Sequence, residues 1–92
     1  ITKYSKQYNF LIMFDIIKSL SKQQQFEFFQ AIRGKIALSQ SEIARAANVS
    51  HGLVSAVFNG INQNQKVIEI IELNIEDGWE TLIPEHLKSL AS

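Results

Sequence analysis

The chain has 92 residues, of which 46% are hydrophobic and 20% charged, which suits one folded domain but not two. It contains no cysteine, which excludes disulfides, thiolate metal sites and a cysteine nucleophile and fits a reducing cytoplasm. The net charge of zero argues at first against nucleic acid as a partner.

The charge is nevertheless distributed unevenly along the chain. Residues 1–66 carry eight lysines and arginines against three acidic residues, whereas residues 67–92 carry six acidic residues and a single lysine, Lys88. A basic part of this kind can face phosphates, although ordinary solvated surface charge explains the pattern equally well.

The first residue is Ile1 rather than Met, so we expect a processed or trimmed piece from which a further domain could be missing. No signal peptide is evident. The apolar run from Phe10 to Phe14 is interrupted by Asp15 and Lys18 and is far shorter than the roughly 20 residues of a membrane span. We therefore expect a cytoplasmic protein without membrane contact.

Apolar residues recur mostly at helical spacing, which predicts an all-α fold of five or six short helices around one core. The first predicted helix runs from about Ser5 to Leu20 and is apolar on most sides, so it should be buried in the domain or against a partner chain. Ser21 and Gln24 predict a capping box and a second helix that ends near Gly34. Ser21 could instead mark a bend within one long helix.

Ser39 and Glu42 form a second predicted capping box, which starts a short helix over about Gln40 to Ala47. Asn48 follows it, and asparagine tolerates the left-handed conformation that ends a helix sharply.

Ser50 can cap the next predicted helix, which extends to about Asn59 and is closed by Gly60. A fifth helix fits about Asn64 to Leu73.

Asp77 with Glu80 predicts the cap of a final segment, which Pro84 breaks or restarts.

Residues 39–60 have the spacing of a helix-turn-helix. Ala44 is small where two helices must cross closely, and Asn48 lies at the sharp turn between them. This arrangement lets the second helix project into a major groove while the first braces the DNA backbone. Four apolar residues are expected to hold the two helices at a steep angle to each other and join them to the core: Ile43, Val49, Val54 and Val57.

The same stretch resembles a known family. Residues 38–40, Val54 and residues 58–62 look like the lambda-repressor-like, or XRE-type, helix-turn-helix of phage repressors, without a gap over the motif. The pairs at 49–50, 54–55 and 59–60 also resemble the headpiece of lactose-repressor-family proteins, but that headpiece normally starts a chain, and here about 38 residues precede the motif. The phage-repressor resemblance implies a transcriptional regulator, most often a repressor, that binds an operator.

The resemblance also implies which residues contact DNA. Gln40 matches a phosphate contact that buttresses the next helix, and Asn59 and Asn62 match positions that reach phosphate and base edges. Where the family has a glutamine and small residues, this chain has His51, Gly52 and Leu53. His51 could donate to guanine N7 or O6, and Leu53 could touch a thymine methyl. The predicted base-reading residues are His51, Gly52, Leu53, Ser55 and Asn62.

Contacts with the DNA backbone are assigned to polar and basic residues near the motif. Arg45, Lys35 and Lys66 could equally be ordinary solvated charges, and His51 could be only an exposed residue of the capping turn. The family's basic arm is not clearly matched, because residues 1–6 hold only two lysines. The predicted phosphate contacts are Gln40, Ser41, Arg45, Ser50, Asn59, Lys35 and Lys66.

Other chemistry finds little support in the sequence. No Gly-rich phosphate loop, catalytic triad context or metal-ligand spacing is present, so we expect neither an enzyme nor a cofactor. His51 and His86 are far apart in sequence, which argues against a metal site. The phenylalanines at 26, 28 and 29 should be core rather than a base-stacking platform, and Trp79 a core or interface anchor.

A single small module buries limited surface on DNA, so we expect a homodimer on a pseudo-palindromic operator. The candidate dimer surfaces are the helix over Tyr8–Leu20, which could equally be ordinary core, and the segment Trp79–Leu90. The alternative is a protein-interaction module or antitoxin-type protein, which would grip a protein partner through the acidic segment Glu69–Glu85 and the N-terminal helix.

Overall fold

The computed structural model describes residues 12–87, so the expected helical parts at 5–11 and 88–90 lie outside the described residues. Between residues 12 and 87 the chain is helical, with a single isolated β-bridge and no strand, and the all-α prediction is confirmed there. The α-helices are α1 (Met13–Ile17), α2 (Lys22–Ile32), α3 (Gln40–Ala47), α4 (His51–Phe58) and α5 (Gln65–Leu73). Two 3-10 segments span Arg33–Lys35 and Trp79–Leu82, and a further helical turn begins at residue 85.

Both predicted capping boxes are present. The Ser21 hydroxyl accepts a hydrogen bond from the backbone amide of Gln24 at 3.2 Å. The side-chain oxygen of Gln24 accepts one from the backbone amide of Ser21 at 2.8 Å. Ser39 and Glu42 make the same pair of bonds at 3.1 Å and 2.8 Å. Each box satisfies two amides that have no partner within the helix. Ser21 is therefore a true helix start and not a bend.

The first helix ends earlier than predicted. It was expected to reach Leu20, but it stops at Ile17, and residues 18–20 form a turn in which the Leu20 amide donates to the Ile17 carbonyl at 2.9 Å. The turn still buries Leu20, so the apolar spacing that suggested a longer helix reflects packing of the turn.

The predicted cap at Asp77 and Glu80 is wrong. The 3-10 segment Trp79–Leu82 has Gly78 at its N-cap, with φ of 89°, and no side chain caps it. Because glycine adopts positive φ without steric cost, the chain turns at Gly78 and leaves Asp77 outside the cap position.

Aromatic side chains form the centre of the core. Phe28 meets Phe29 edge to face with ring centroids 5.4 Å apart, and it meets Trp79 at 6.0 Å. Phe29 also contacts Phe58 at 5.0 Å, which joins α2 to the end of α4. Such pairs add to the free energy gained by burial. Phe28, Phe29 and Trp79 are therefore core, as predicted, whereas Phe26 is only half-buried.

Two long-range contacts close the fold. The buried carboxylate of Glu72 on α5 accepts from the backbone amides of Ile12 at 3.1 Å and Met13 at 2.9 Å, so it caps the start of α1. An antiparallel bridge pairs Ile36 with Ile75 before α3 and after α5. None of the helices within residues 12–87 has the length and apolar character needed to cross a membrane.

Candidate nucleic-acid interface

The turn between α3 and α4 is built on Asn48. Its φ and ψ are 57° and 48°, the left-handed conformation that the sequence predicted. The Asn48 amide donates to the Arg45 carbonyl at 3.2 Å, and the Val49 amide donates to the Ala44 carbonyl at 3.0 Å. This pair of bonds is how a left-handed residue satisfies the last carbonyls of a helix. The chain is thereby turned sharply from α3 into α4.

The inner faces of the two helices are buried as predicted. Ile43, Val54 and Val57 are completely buried, and Ala44 is 6% exposed, so the two helices pack closely at a small residue. Val49 is half-buried and packs against the core. Helix α3 also contacts α5, which holds the pair of helices against the rest of the domain.

The first turn of α4 is open on its outer side. The Ser50 hydroxyl caps the helix by accepting from the Leu53 amide at 3.1 Å. His51 and Gly52 are exposed, and Leu53 and Ser55 are half-buried. A Cβ at Gly52 would find only the Ser50 hydroxyl oxygen within 4 Å, at 3.9 Å. A large ligand can therefore approach the backbone of this turn closely.

The two asparagines after α4 are both engaged within the chain. The Asn59 side-chain nitrogen donates to the Ser55 carbonyl at 2.9 Å and lies 3.4 Å from the Ser55 hydroxyl. It must exchange these partners before it can donate to a phosphate. The backbone carbonyl of Asn62 accepts from the Gln25 side chain at 2.8 Å, and the Asn62 residue is half-buried.

The remaining predicted phosphate contacts are spread over α3 and its surroundings. Gln40 is half-buried at the first position of α3. The Lys35 ammonium lies 3.5 Å from a Glu76 carboxylate oxygen, and because both side chains are exposed this pair is weak. Ser41, Arg45 and Lys66 are exposed as well.

One acidic side chain belongs to the motif. Hydrogen bonds from the backbone amide and then the hydroxyl of Ser39 lower the pKa of Glu42, and the charge of Arg45 acts in the same direction. Glu42 is therefore ionised at neutral pH and offsets Arg45. Because the charges of Glu42 and Arg45 cancel within residues 39–60, any contact of this motif with DNA depends largely on hydrogen bonds from neutral side chains and backbone amides.

Sequence reasoning placed Gly60 at the end of α4 but missed its close approach to Lys22, and it missed Gln25 altogether. Gln25 is completely buried, and its side-chain nitrogen donates to the Val57 carbonyl at 2.9 Å. Gly60 has φ of 82°, and a Cβ there would lie 2.1 Å from the Lys22 carbonyl oxygen. Gln25 shares the buried stripe of α2 with Phe28, so a polar residue at an apolar position was the available signal.

Comparison with models of protein families, with curated proteins and with solved structures finds no match for this chain. Within residues 12–87, no group of three or more histidine, cysteine, aspartate or glutamate side chains is placed to hold a metal ion.

Proposed function

We propose that this chain binds double-stranded DNA sequence-specifically through α3 and α4 and acts as a transcriptional regulator, as a repressor at an operator. The observation that carries the proposal is the left-handed turn at Asn48, which joins two helices with buried inner faces and leaves the first turn of α4 exposed. A helix presented in this way can enter the major groove, which is about 12 Å wide.

Base reading is assigned to the start of α4. The exposed His51 ring can donate to guanine N7 or O6, and Leu53 can touch a thymine methyl. Gly52 lets the helix backbone come close to the base edges, because no side chain stands between them. Ser55 lies one turn further along the same helix, and Asn62 follows the helix in the next loop.

The contacts that fix the position of the protein on the DNA backbone are assigned to α3 and to residues at the starts of helices. The Gln40 amide and the hydroxyls of Ser41 and Ser50 can donate to phosphates, and Arg45 supplies charge. Lys66 at the start of α5 and Lys35 extend this set.

Useful affinity for a single small module requires two copies on a pseudo-palindrome, so we propose a homodimer. In the described parts of the two candidate dimer surfaces, large apolar side chains are buried in the core: Met13, Ile17 and Trp79 are at most 1% exposed. Exposed apolar side chains beside them are Ile12 and Leu82, each 39% exposed.

The first test is selection of binding sites from a random pool of duplex DNA at two salt concentrations. An enriched, two-fold-symmetric site, with affinity that falls as salt rises, is the expected result. Absence of enrichment would contradict the proposal and would favour the protein-interaction module, which a stoichiometric complex with a defined protein partner would then establish.

Point variants distinguish contacts with base edges from contacts with phosphates. We expect His51→Ala to relax base preference at one position and Gln40→Ala to weaken binding to all sequences alike. Gln30→Ala, an exposed glutamine on α2 outside the motif, is the matched control and should leave binding unchanged. Unaltered DNA affinity in both test variants would show that the docking is wrong.

A further inference from the structure

The loop after α4 is fastened to the junction of α1 and α2 by two glutamines. The Gln25 side-chain nitrogen donates to the carbonyls of Val57 at 2.9 Å and Asn62 at 2.8 Å. The Gln63 side-chain nitrogen donates to the Gln25 side-chain oxygen at 3.2 Å and to the Ile17 carbonyl at 3.1 Å. The end of α1, helix α2 and the loop after α4 are therefore joined through these two side-chain amides.

The orientation of the Gln25 amide is forced by its neighbours. Two carbonyl oxygens face its nitrogen, and a flipped amide would place oxygen against oxygen at both. The donation by Gln63 to the Gln25 oxygen fits the same orientation. Because Gln25 is completely buried, loss of its amide would leave the Val57 and Asn62 carbonyls without this donor.

The carbonyls that Gln25 holds belong to Val57, in the last turn of the proposed base-reading helix α4, and to Asn62 in the loop that follows it. The Gly60 amide also donates to the Val57 carbonyl at 3.2 Å, and the Ile61 amide donates to the Ala56 carbonyl at 2.9 Å. These bonds end α4 and start the loop that carries Asn62. Gly60 allows the loop to lie against Lys22, where any Cβ would collide with backbone.

The tilt of a short helix depends strongly on the contacts that hold its two ends. Helix α4 has eight residues, and its start is already set by the Asn48 turn and the Ser50 cap. It is about 12 Å long, so if its end is released, a tilt of about 5° about the fixed first turn moves the last turn and the loop that carries Asn62 by about 1 Å. A shift of that size breaks a hydrogen bond to a base edge.

We propose that Gln25, supported by Gln63, is a positioning residue for DNA sequence discrimination: it fixes the end of α4 and the Asn62 peptide so that the base-reading side chains meet their bases. This inference rests on the proposed function. It assigns a role in specificity to a side chain that is buried and does not itself touch DNA.

The test compares discrimination, defined as affinity for the selected operator divided by affinity for a scrambled duplex of equal length. Gln25→Met keeps the side-chain volume and removes the amide. We expect it to reduce discrimination about tenfold, the effect of losing about one base contact, while affinity for the scrambled duplex stays within about twofold. All measurements are made well below the thermal midpoint of every variant.

Ile32→Val is the matched control, because it alters a completely buried side chain of the same helix and removes neither glutamine amide. It should lower the thermal midpoint but keep discrimination. Gln63→Ala removes the exposed partner of the pair and should reduce discrimination in the same direction as Gln25→Met. If Gln25→Met does not fold, the discrimination measured for Gln63→Ala decides whether the proposal holds.

Two failures remain distinguishable. If the unaltered protein discriminates and both glutamine variants match the Ile32→Val control, the positioning role is wrong and the glutamines serve stability alone. If the unaltered protein does not discriminate between duplexes, the proposed function fails and this inference fails with it. Faster amide hydrogen exchange at residues 61 and 62 in Gln25→Met, without loss of discrimination, would also overturn it.

Discussion

Asn48 shows how one backbone conformation determines the geometry of the motif. Among residues 12–87 it is the only non-glycine residue with a positive φ. The left-handed conformation costs most side chains roughly 1–2 kcal/mol, and asparagine less. The direction in which α4 leaves α3 therefore depends on a residue type that tolerates this conformation.

We expect Asn48→Ala to lower the free energy of unfolding by about 1 kcal/mol, because alanine pays the full cost of positive φ. Asn48→Gly should leave it unchanged or slightly higher. Urea denaturation of the three proteins measures the difference. Equal stability of the alanine and glycine variants would contradict the assigned conformation.

Gly60 is constrained both by conformation and by space. A Cβ at this position would lie 2.1 Å from the Lys22 carbonyl oxygen, and φ is 82°. We expect Gly60→Ala to destabilise the protein by about 3 kcal/mol or more, because backbone must move to make room. Gly34→Ala is the control, since no atom lies within 4 Å of its added Cβ. A thermal scan that shows equal midpoints for both variants would refute the close approach.

At the scale of the element, the two capping boxes differ by one ionisable group. Ser39 pairs with Glu42, whereas Ser21 pairs with the neutral Gln24. The two helices therefore begin with the same hydrogen bonds but respond differently to acid.

The pKa of Glu42 is lowered from its usual 4.5 by the Ser39 amide, so the folded state favours the charged form. Its stabilising contribution is present above pH 4.5 and is lost as the pH falls through the lowered value. We expect Glu42→Gln, which keeps an acceptor, to make stability less dependent on pH below about 5. Urea midpoints from pH 7 to about pH 3 check this.

Gln24→Glu is the reciprocal variant, because it installs a carboxylate in the other box. It should add to the acid sensitivity that Glu42→Gln removes. Stability curves that stay parallel for all three proteins would contradict the role assigned to Glu42.

At the scale of the whole molecule, the start and the later part of the chain are joined through Glu72. Its carboxylate is 3% exposed and accepts from two backbone amides at the start of α1. Carboxylates that cap a helix start are favoured by the amides and by the helix dipole. Placement of α1 against α5 thus depends on hydrogen bonds to a carboxyl group supplied from far along the sequence.

We expect Glu72→Gln to lower the free energy of unfolding by about 1.5–3 kcal/mol, because its amide nitrogen would face a backbone N–H. Amide exchange at Ile12 and Met13 should accelerate as the segment is released. Glu69→Gln on the same helix is the control, since Glu69 accepts from Gln65 one turn away and does not join segments. Equal effects of the two variants would argue against the long-range cap.

Local signals were predictable, and contacts between distant segments were not. The boxes at Ser21 and Ser39 and the turn at Asn48 depend on residues within one or two turns, so their spacing is visible in the sequence. Glu72 and Gln25 find partners about 60 and 32 to 37 positions away, and no residue pattern specifies such pairs.

The candidate site divides in the same way. Helical periodicity correctly placed Val54 inside and His51 outside, because it depends only on position along one helix. It could not foresee that Lys35 lies beside Glu76, which requires the bridge between the segments before α3 and after α5. The cap expected at Asp77 failed because Gly78 offered the backbone a competing local conformation.

The hydrogen bonds at the end of α4 also bear on chemical ageing. An asparagine followed by glycine is prone to deamidate, because the glycine nitrogen can attack the side-chain amide carbon and expel ammonia, and water then opens the resulting succinimide ring to a carboxylate. Here the Gly60 backbone amide donates to the Val57 carbonyl, and the Asn59 side-chain nitrogen donates to the Ser55 carbonyl. Both hydrogen bonds must break before the ring can close, so this end of the helix must open first. Each deamidated molecule gains a negative charge beside the proposed DNA surface, where phosphates would repel it. We therefore expect the bonds that end the helix to slow deamidation at Asn59.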